Sequence, residues 1–486
     1  MNLSKLNIGI LHSLIGKNDG VSIVIDQSIE AMVRYMDVSQ DNIYFLAALA
    51  PARLNKLEDD IFWHKNEANK YILKHYRTEP PEGFEDFIEA HVTYAEHIIA
   101  QFIEENYIDL FIVHNASHPT NFVYATAVGR YFEKLRQKRQ YLPRYLLWWH
   151  DSHFERERFL HPNPVIKSFL NYIPGAYAHG IVFINTKQAA LARQVYKSHF
   201  NDYQDVRRFF SQHTAVIPNT CDIPWSWKRQ PSNGAGDPPL APPMDNFNKN
   251  FFEDIGLLAE LEALGVSLDE TLLILQHTRV VARKRIDCAI DFAFLMHERM
   301  LKKGCKKATA LIISGHSGDE DDAYVHQLRL HFDAKVKHAT HPEGVILLFA
   351  EHRIFAEREV IIDKRYYRFR DIPGIIARHG GIGSFFSEAE GYGNNLLEMI
   401  SMGLPVLINR YPVYKKDIER LGFMLPAIDD GQFTEAFLEA AEALVIDSQK
   451  RAAVVRHNLS ILDKKLNHKV ISKKMETVLQ NMFRFL

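Results

Sequence analysis

Short apolar runs and amphipathic stretches take turns along the chain. In the first half, LNIGILHSLI, IDLFIVHNAS, YLLWWHD and GIVFINT alternate with segments such as SIVIDQSIEAMVRYM, NFVYATAVGRYFEKL and KQAALARQVYKSHF. Strand followed by helix, repeated, predicts a parallel sheet with helices on both faces. The stretch Lys228 to Asn250, KRQPSNGAGDPPLAPPMDNFNKN, breaks this rhythm with Pro, Gly and Asn and reads as a linker or inserted loop. Beyond it the alternation resumes. TLLILQHTRV, ATALIISGHS, GVILLFAE, GGIGSFF and PVLINR are interleaved with IDCAIDFAFLMHERML, AYVHQLRLHFD, NNLLEMISM and VYKKDIERL. The pattern predicts two α/β domains, residues 1–222 and 251–465, joined through 223–250. Such domains bind ligands outside the carboxyl ends of their strands, here in a cleft between the two. In 466–486, Ile471, Met475, Val478 and Met482 share one helical face. That helix is expected to pack back towards the N-terminal domain with Lys473 and Lys474 in solvent. A basic amphipathic helix can also lie on a membrane, but nothing else in the chain indicates one.

A length of 486 residues exceeds what one core serves, in keeping with two domains. The net charge of -2 removes the electrostatic reason to expect nucleic acid as a partner and turns attention to small molecules. Cys221, Cys288 and Cys305 have neither ligand spacing nor an even count, which fits a reducing cytoplasm better than a disulfide framework. No run approaches the roughly 20 apolar residues of a membrane span, and the N-terminus lacks a secretory pattern.

The candidate chemistry lies in EAEGYGNNLLEMISMGLPVLINRYP, Glu388 to Pro412. GGIGSFF predicts a buried strand and NNLLEMISMG a helix from about Asn394 to Gly403, with Pro405 closing the turn. Glu390 then lies in the loop before the helix, and Glu398 in its first turns. Gly391 and Gly393 allow close approach of a ligand, and the free amides at the helix start suit a diphosphate. A carboxylate accepts from two adjacent hydroxyls, so the pair can hold a sugar on either side of that diphosphate. Alternatively, Glu388 and Glu390 are charges complementing the helix dipole, and Glu398 is an exposed helical acid.

This stretch resembles the donor-binding motif of retaining glycosyltransferases of family four, which have the GT-B fold of two Rossmann-like domains facing each other across a cleft. Glu390, Gly391, Tyr392, Gly393, Glu398, Gly403, Pro405 and Val406 match it. In HTRVVARKRID, Arg279 and Lys284 match the family's two cations for the donor's phosphates. Arg285 stands where a Gly is usual, so it either crowds the loop or adds a third cation. AVIPNTCD resembles the segment leaving the N-domain, with Thr220 in place of Gly. WWHDSH places the family's active-site His at His150, and Asp19-Gly20 replaces a Gly-Gly turn, so that only Gly20 carries over. Within the family, NRYPVYKKDIERLGF and TRVVARK look closest to small-glycoside synthases of the mannosylglucosylglycerate synthase type.

The resemblance implies transfer of a hexose from a nucleoside-diphosphate sugar to an acceptor hydroxyl, of a small molecule or a glycan, with retention. His150, Arg279, Lys284 and Glu390 are the expected catalytic residues. Gly20, Gly391, Tyr392, Gly393, Asn394, Asn395 and Glu398 are expected to bind the donor. No metal site or tightly bound cofactor is expected, because GDEDD (Gly318 to Asp322) reads as a cap and solvated first turn. A glycoside phosphorylase on the same scaffold and a non-catalytic sugar-nucleotide-binding protein are the alternatives.

Overall fold

The apolar runs of the N-terminal half become strands buried on both faces. The computed structural model describes residues 3–17, 19–173, 175, 177–199, 206–224, 240–317 and 322–484. It divides into one unit of Met1–Thr220 with His468–Leu486 and another of Cys221–Asn467. In unit 1, β1 (Ile8–Leu11), β2 (Ile43–Ala47), β3 (Lys56–Glu58), β4 (Leu110–His114), β5 (Arg144–Trp149), β6 (Gly180–Phe183) and β7 (Thr214–Val216) form a sheet in the order β3-β2-β1-β4-β5-β6-β7. Every pairing is parallel. The order reverses direction between β1 and β4, the switch point at which open α/β sheets bind ligands.

Strand periodicity sorts the core into two layers. Ile8, Ile10, Ile43, Phe45, Leu110, Ile112, Leu146, Trp148 and Val182 point to one face, and Leu11, Leu46, Phe111, Val113, Tyr145, Leu147, Trp149, Ile181 and Phe183 to the other. The first face is covered by the helices Gly20–Tyr35 and His468–Phe483. The last helix buries the predicted stripe of Ile471, Met475, Val478 and Met482, together with Leu479, at roughly 1.5–3 kcal/mol for each large apolar side chain. It packs so closely over β6 that a Cβ at Gly180 would lie 2.6 Å from the Met482 sulfur. Lys473 and Lys474 are exposed, and Lys474 Nζ donates to the Val216 carbonyl at 2.6 Å. Thr220, where a Gly was the family's pattern, hydrogen-bonds through Oγ1 to His468 Nδ1 at 2.8 Å, with both side chains buried.

Unit 2 repeats the plan. Here β8 (Thr271–Gln276), β9 (Ala308–Ile313), β10 (Val345–Phe349), β14 (Ile382–Phe385), β15 (Val406–Asn409) and β16 (Ala427–Ile428) form a parallel sheet in the order β10-β9-β8-β14-β15-β16. A small separate sheet, β11 (Ile354–Phe355), β12 (Glu359–Ile361) and β13 (Lys364–Arg368), follows β10. Its strands are short and mostly solvent-facing, so no apolar run marked them. Of the expected linker, residues 225–239 lie outside the described residues, while Ala241 packs in the core of unit 2, as does Cys221, which was expected in the N-terminal domain. VYKKDIERL was expected to be a helix and is helical throughout, though not as a regular α-helix. It forms a wide π-helical turn over Tyr414–Ile418 and a 3-10 turn over Glu419–Leu421, closed by Gly422 at φ 87°. The wide turn buries Tyr411, Val413, Tyr414 and Ile418 together, and ion pairs of Arg410 with Glu419 and Asp429 hold its flank.

Candidate functional site

The site in unit 2 assembles at the carboxyl ends of β8 and β14, neighbours in the sheet. After β8 the chain runs through Arg279, which is exposed, into a 3-10 turn at Ala282–Lys284. The Glu388 amide donates to the Arg283 carbonyl at 2.9 Å, which ties this turn to the loop after β14. Lys284 is buried. Its ammonium bonds Glu390 and lies 5.6 Å over the Phe385 ring. Arg283 shares the same carboxylate at 3.2 Å and donates to the Ala389 carbonyl at 2.7 Å. Burial works against a charge on Glu390, but Lys284 and then Arg283 outweigh it and hold the carboxyl below the usual range. Burial likewise pulls Lys284 below the usual lysine range, opposed by Glu390.

Arg285 neither crowds the loop nor adds a cation to this cluster. Its backbone takes φ 49° and ψ 52°, the left-handed conformation that glycine adopts freely. Its guanidinium turns to Asp287 at 3.1 Å and Glu388 at 3.7 Å.

The helix Asn394–Ser401 opens at Gly393, where φ is 126°. A Cβ there would stand 2.6 Å from the Tyr411 hydroxyl, which itself donates to the Tyr392 carbonyl at 2.6 Å. Gly391 is exposed, Asn394 and Asn395 are half-buried, and the Tyr392 side chain is packed in the core. Glu398 is 3 % exposed, not the solvated acid of the alternative reading. Its Oε2 accepts from Asn395 Nδ2 at 3.3 Å, while its Oε1 has no hydrogen-bond partner, and Arg370 Nε lies 3.8 Å from it. Across from it, His277 Nε2 is 3.6 Å from Oε2. This imidazole is fully buried, stacks on Phe369 at 3.9 Å and bonds the Ser314 hydroxyl at 2.8 Å. Burial lowers its pKa against the pull of Glu398. Sequence reading missed His277 and Arg370; the only local signal was that His277 follows an apolar strand.

Gly20 and His150 belong to unit 1. Gly20 starts its helix, capped by Asp19 Oδ1, which accepts from the Val21 amide at 2.9 Å and the Ser22 amide at 3.1 Å. His150 follows β5 directly, and its Nε2 is 3.0 Å from Nδ1 of His114, the last residue of β4. The two rings stack, and His114 also stacks on Trp148. His12 follows β1, with its ring 6.5 Å from that of His114. Three neighbouring strand tips thus each present an imidazole, two of which sequence reading did not single out. His12 Nδ1 and His114 Nε2 are buried without partners. Burial pushes His150 down to about 3 and His12 to about 4, and it holds His114 well below the ordinary value. Burial does the same to His118 and His179, each to about 3.

These imidazoles are neutral when folded, whereas unfolded they take up protons near 6.5, so stability falls as pH drops below 6.5. The expected outcome is a thermal midpoint that declines clearly between pH 7 and pH 5, above the range where carboxylates titrate. A flat midpoint across that window, measured by calorimetry, would mean that the cluster is solvated.

No protein-family model matches the chain. Over 454 residues it is 24% identical to a mannosylglucosylglycerate synthase of Petrotoga mobilis, an alignment covering 86% of this chain and 85% of that protein. Among solved structures it resembles a UDP-forming alpha,alpha-trehalose-phosphate synthase from Burkholderia xenovorans, with a TM-score of 0.63, 10% identity and coverage of 98% of this chain and 99% of the other. It also resembles a trehalose-6-phosphate protein from E. coli bound with UDP-2-fluoro glucose, with a TM-score of 0.53, 11% identity and 99% of both chains covered.

Proposed function

We propose that this chain, a GT-B glycosyltransferase related to mannosylglucosylglycerate synthases, moves a hexose from a nucleoside-diphosphate sugar to a hydroxyl of a small polar acceptor with retention. The observation that carries this reading is the pair of buried carboxylates bracketing the start of the Asn394 helix. One is neutralised by Lys284 and Arg283; the other has an oxygen without a partner. Glu398 accepts from the ribose hydroxyls, and the helix amides with Arg279 and Lys284 hold the diphosphate. Glu390 accepts from the transferred hexose.

The bond from the anomeric carbon to the phosphate oxygen breaks as the bond to the acceptor oxygen forms on the same face. The acceptor's proton passes to the departing phosphate oxygen. Lys284 and Arg279 stabilise the charge that grows on that oxygen. His150 serves the transferred hexose as a neutral hydrogen-bonding group, its ring held in place by the bond to His114. No resident metal takes part in this scheme. Residues 318–321 of the GDEDD run lie outside the described residues.

A panel of nucleoside-diphosphate sugars tests the reading. One donor is expected to raise the thermal midpoint and, with a polyol or sugar acceptor, to release nucleoside diphosphate and form an α-linked product from an α-linked donor. Turnover that requires inorganic phosphate in place of the nucleotide would establish a phosphorylase. Saturable donor binding without turnover over a broad acceptor panel would establish a binding protein.

A further inference from the structure

A second constellation in unit 1 lies at the amino end of β5, opposite the strand tips that carry the imidazoles. Arg144 is the first residue of β5 and is 9 % exposed; its Nε is buried and has no hydrogen-bond partner. It lines a cavity of about 440 Å³ together with Arg136, Arg139, Tyr141, Tyr177 and His179. None of the three guanidinium groups forms an ion pair among the described residues, and no carboxylate lines the cavity. The nearby Glu133 is taken up by Tyr172 at 3.1 Å and Tyr177 at 2.6 Å. His179 Nδ1 accepts the Tyr145 amide at 3.0 Å, so in the neutral ring Nε2 carries the proton and is a donor.

Arg136 and Arg139 alone would be explained as cations complementing the end of the helix Phe122–Gln137. That account does not reach Arg144, which lies in a strand. Holding the Arg144 Nε out of water without an acceptor is costly, and the exposed Arg136 and Arg139 add two more cations at the same cavity without a carboxylate to balance them. Arg139 moreover takes φ 55°, a left-handed conformation that glycine adopts without strain.

We propose that this cavity binds a phosphorylated small molecule, its phosphate held by Arg144, Arg136 and Arg139 and its organic part lying against Tyr141 and Tyr177. A guanidinium fork matches phosphate oxygens in pairs, and the volume is in the range of small-ligand pockets and well above that of a lone phosphate. The six residue steps from Arg144 to His150 span about 20 Å of extended chain. The occupant therefore sits apart from the strand-tip imidazoles and is a ligand distinct from the reacting sugars.

Glucose 6-phosphate is the probe, with glucose as its neutral control, in calorimetric titrations of the full chain at low salt. Saturable binding of the phosphate ester and none of glucose is expected. R144Q should weaken it at least tenfold, the effect of losing charge-assisted hydrogen bonds. R139G should weaken it about fivefold while leaving the thermal midpoint unchanged or raised, because glycine suits that backbone. The second variant keeps the test decisive should R144Q fold poorly. Undiminished binding in R139G, no binding to the wild type, or binding lost in K284A alone would each overturn the assignment.

Discussion

Lys284→Ala should lower kcat by roughly a hundredfold at saturating donor and should also destabilise unit 2, two effects that Arg279→Ala is expected to separate. Both cations are assigned to the oxygen that gains charge as the sugar leaves, where a positioned donor is worth about a hundredfold. Their environments differ. Arg279 is exposed, so its loss should reduce kcat and leave the thermal midpoint nearly unchanged. Lys284 is buried against Glu390, and truncating it leaves a buried carboxylate short of its main partner. Breaking such a pair costs about 3–5 kcal/mol, and the low end is expected because Arg283 stays 3.2 Å from the same carboxylate. The double variant should lose less in kcat than the product of the two single losses, since both residues serve one developing charge. Steady-state kinetics beside thermal melts read both effects. A Lys284 variant that keeps kcat and raises only KM would show that this lysine binds the donor equally in ground and transition states.

Glu398→Gln should move stability and donor binding in opposite directions. The buried carboxylate has one oxygen without a hydrogen bond, beside an imidazole whose pKa is lowered and an arginine 3.8 Å away. A neutral side chain of the same shape removes the cost of holding that charge out of water, so the ligand-free protein should melt at the same temperature or higher. The open oxygen is what the ribose hydroxyls are proposed to use. Losing a charged acceptor should weaken donor binding by about 1 to 3 kcal/mol. Calorimetry with the preferred nucleotide-sugar decides the matter, and unchanged affinity in Glu398→Gln would remove the ribose assignment. A site that is less stable empty than its neutral mimic is what function selected against stability looks like.

Much of the scaffold was legible because the two periods that specify it are local. Apolar runs such as TLLILQ and YLLWW became strands buried on both faces, and the stripe from Ile471 to Met482 became the buried face of a helix. The interval from Glu390 to Glu398 around Gly391 and Gly393 likewise placed a loop, a helix start and two acids in one short segment. Where local signals were weak or outvoted, reading failed. The strands of the small sheet are mostly exposed and have no apolar run, and the helical pattern of VYKKDIERL, though helical in the fold, winds as a π turn and a 3-10 turn that its local period did not distinguish from an α-helix.

The amino-acid pattern by itself determined the alternation of strand and helix and the acids and glycines of one continuous motif, because neighbours in the chain fix neighbours in space over a few residues. Only the tertiary structure decided which distant groups meet them. Lys284 reaches Glu390 across 106 positions because β8 and β14 are adjacent in the sheet. His12, His114 and His150 come together because β1, β4 and β5 end side by side in register. Sheet order depends on how whole layers pack, and the residues within any one strand carry no record of which strand will lie beside it.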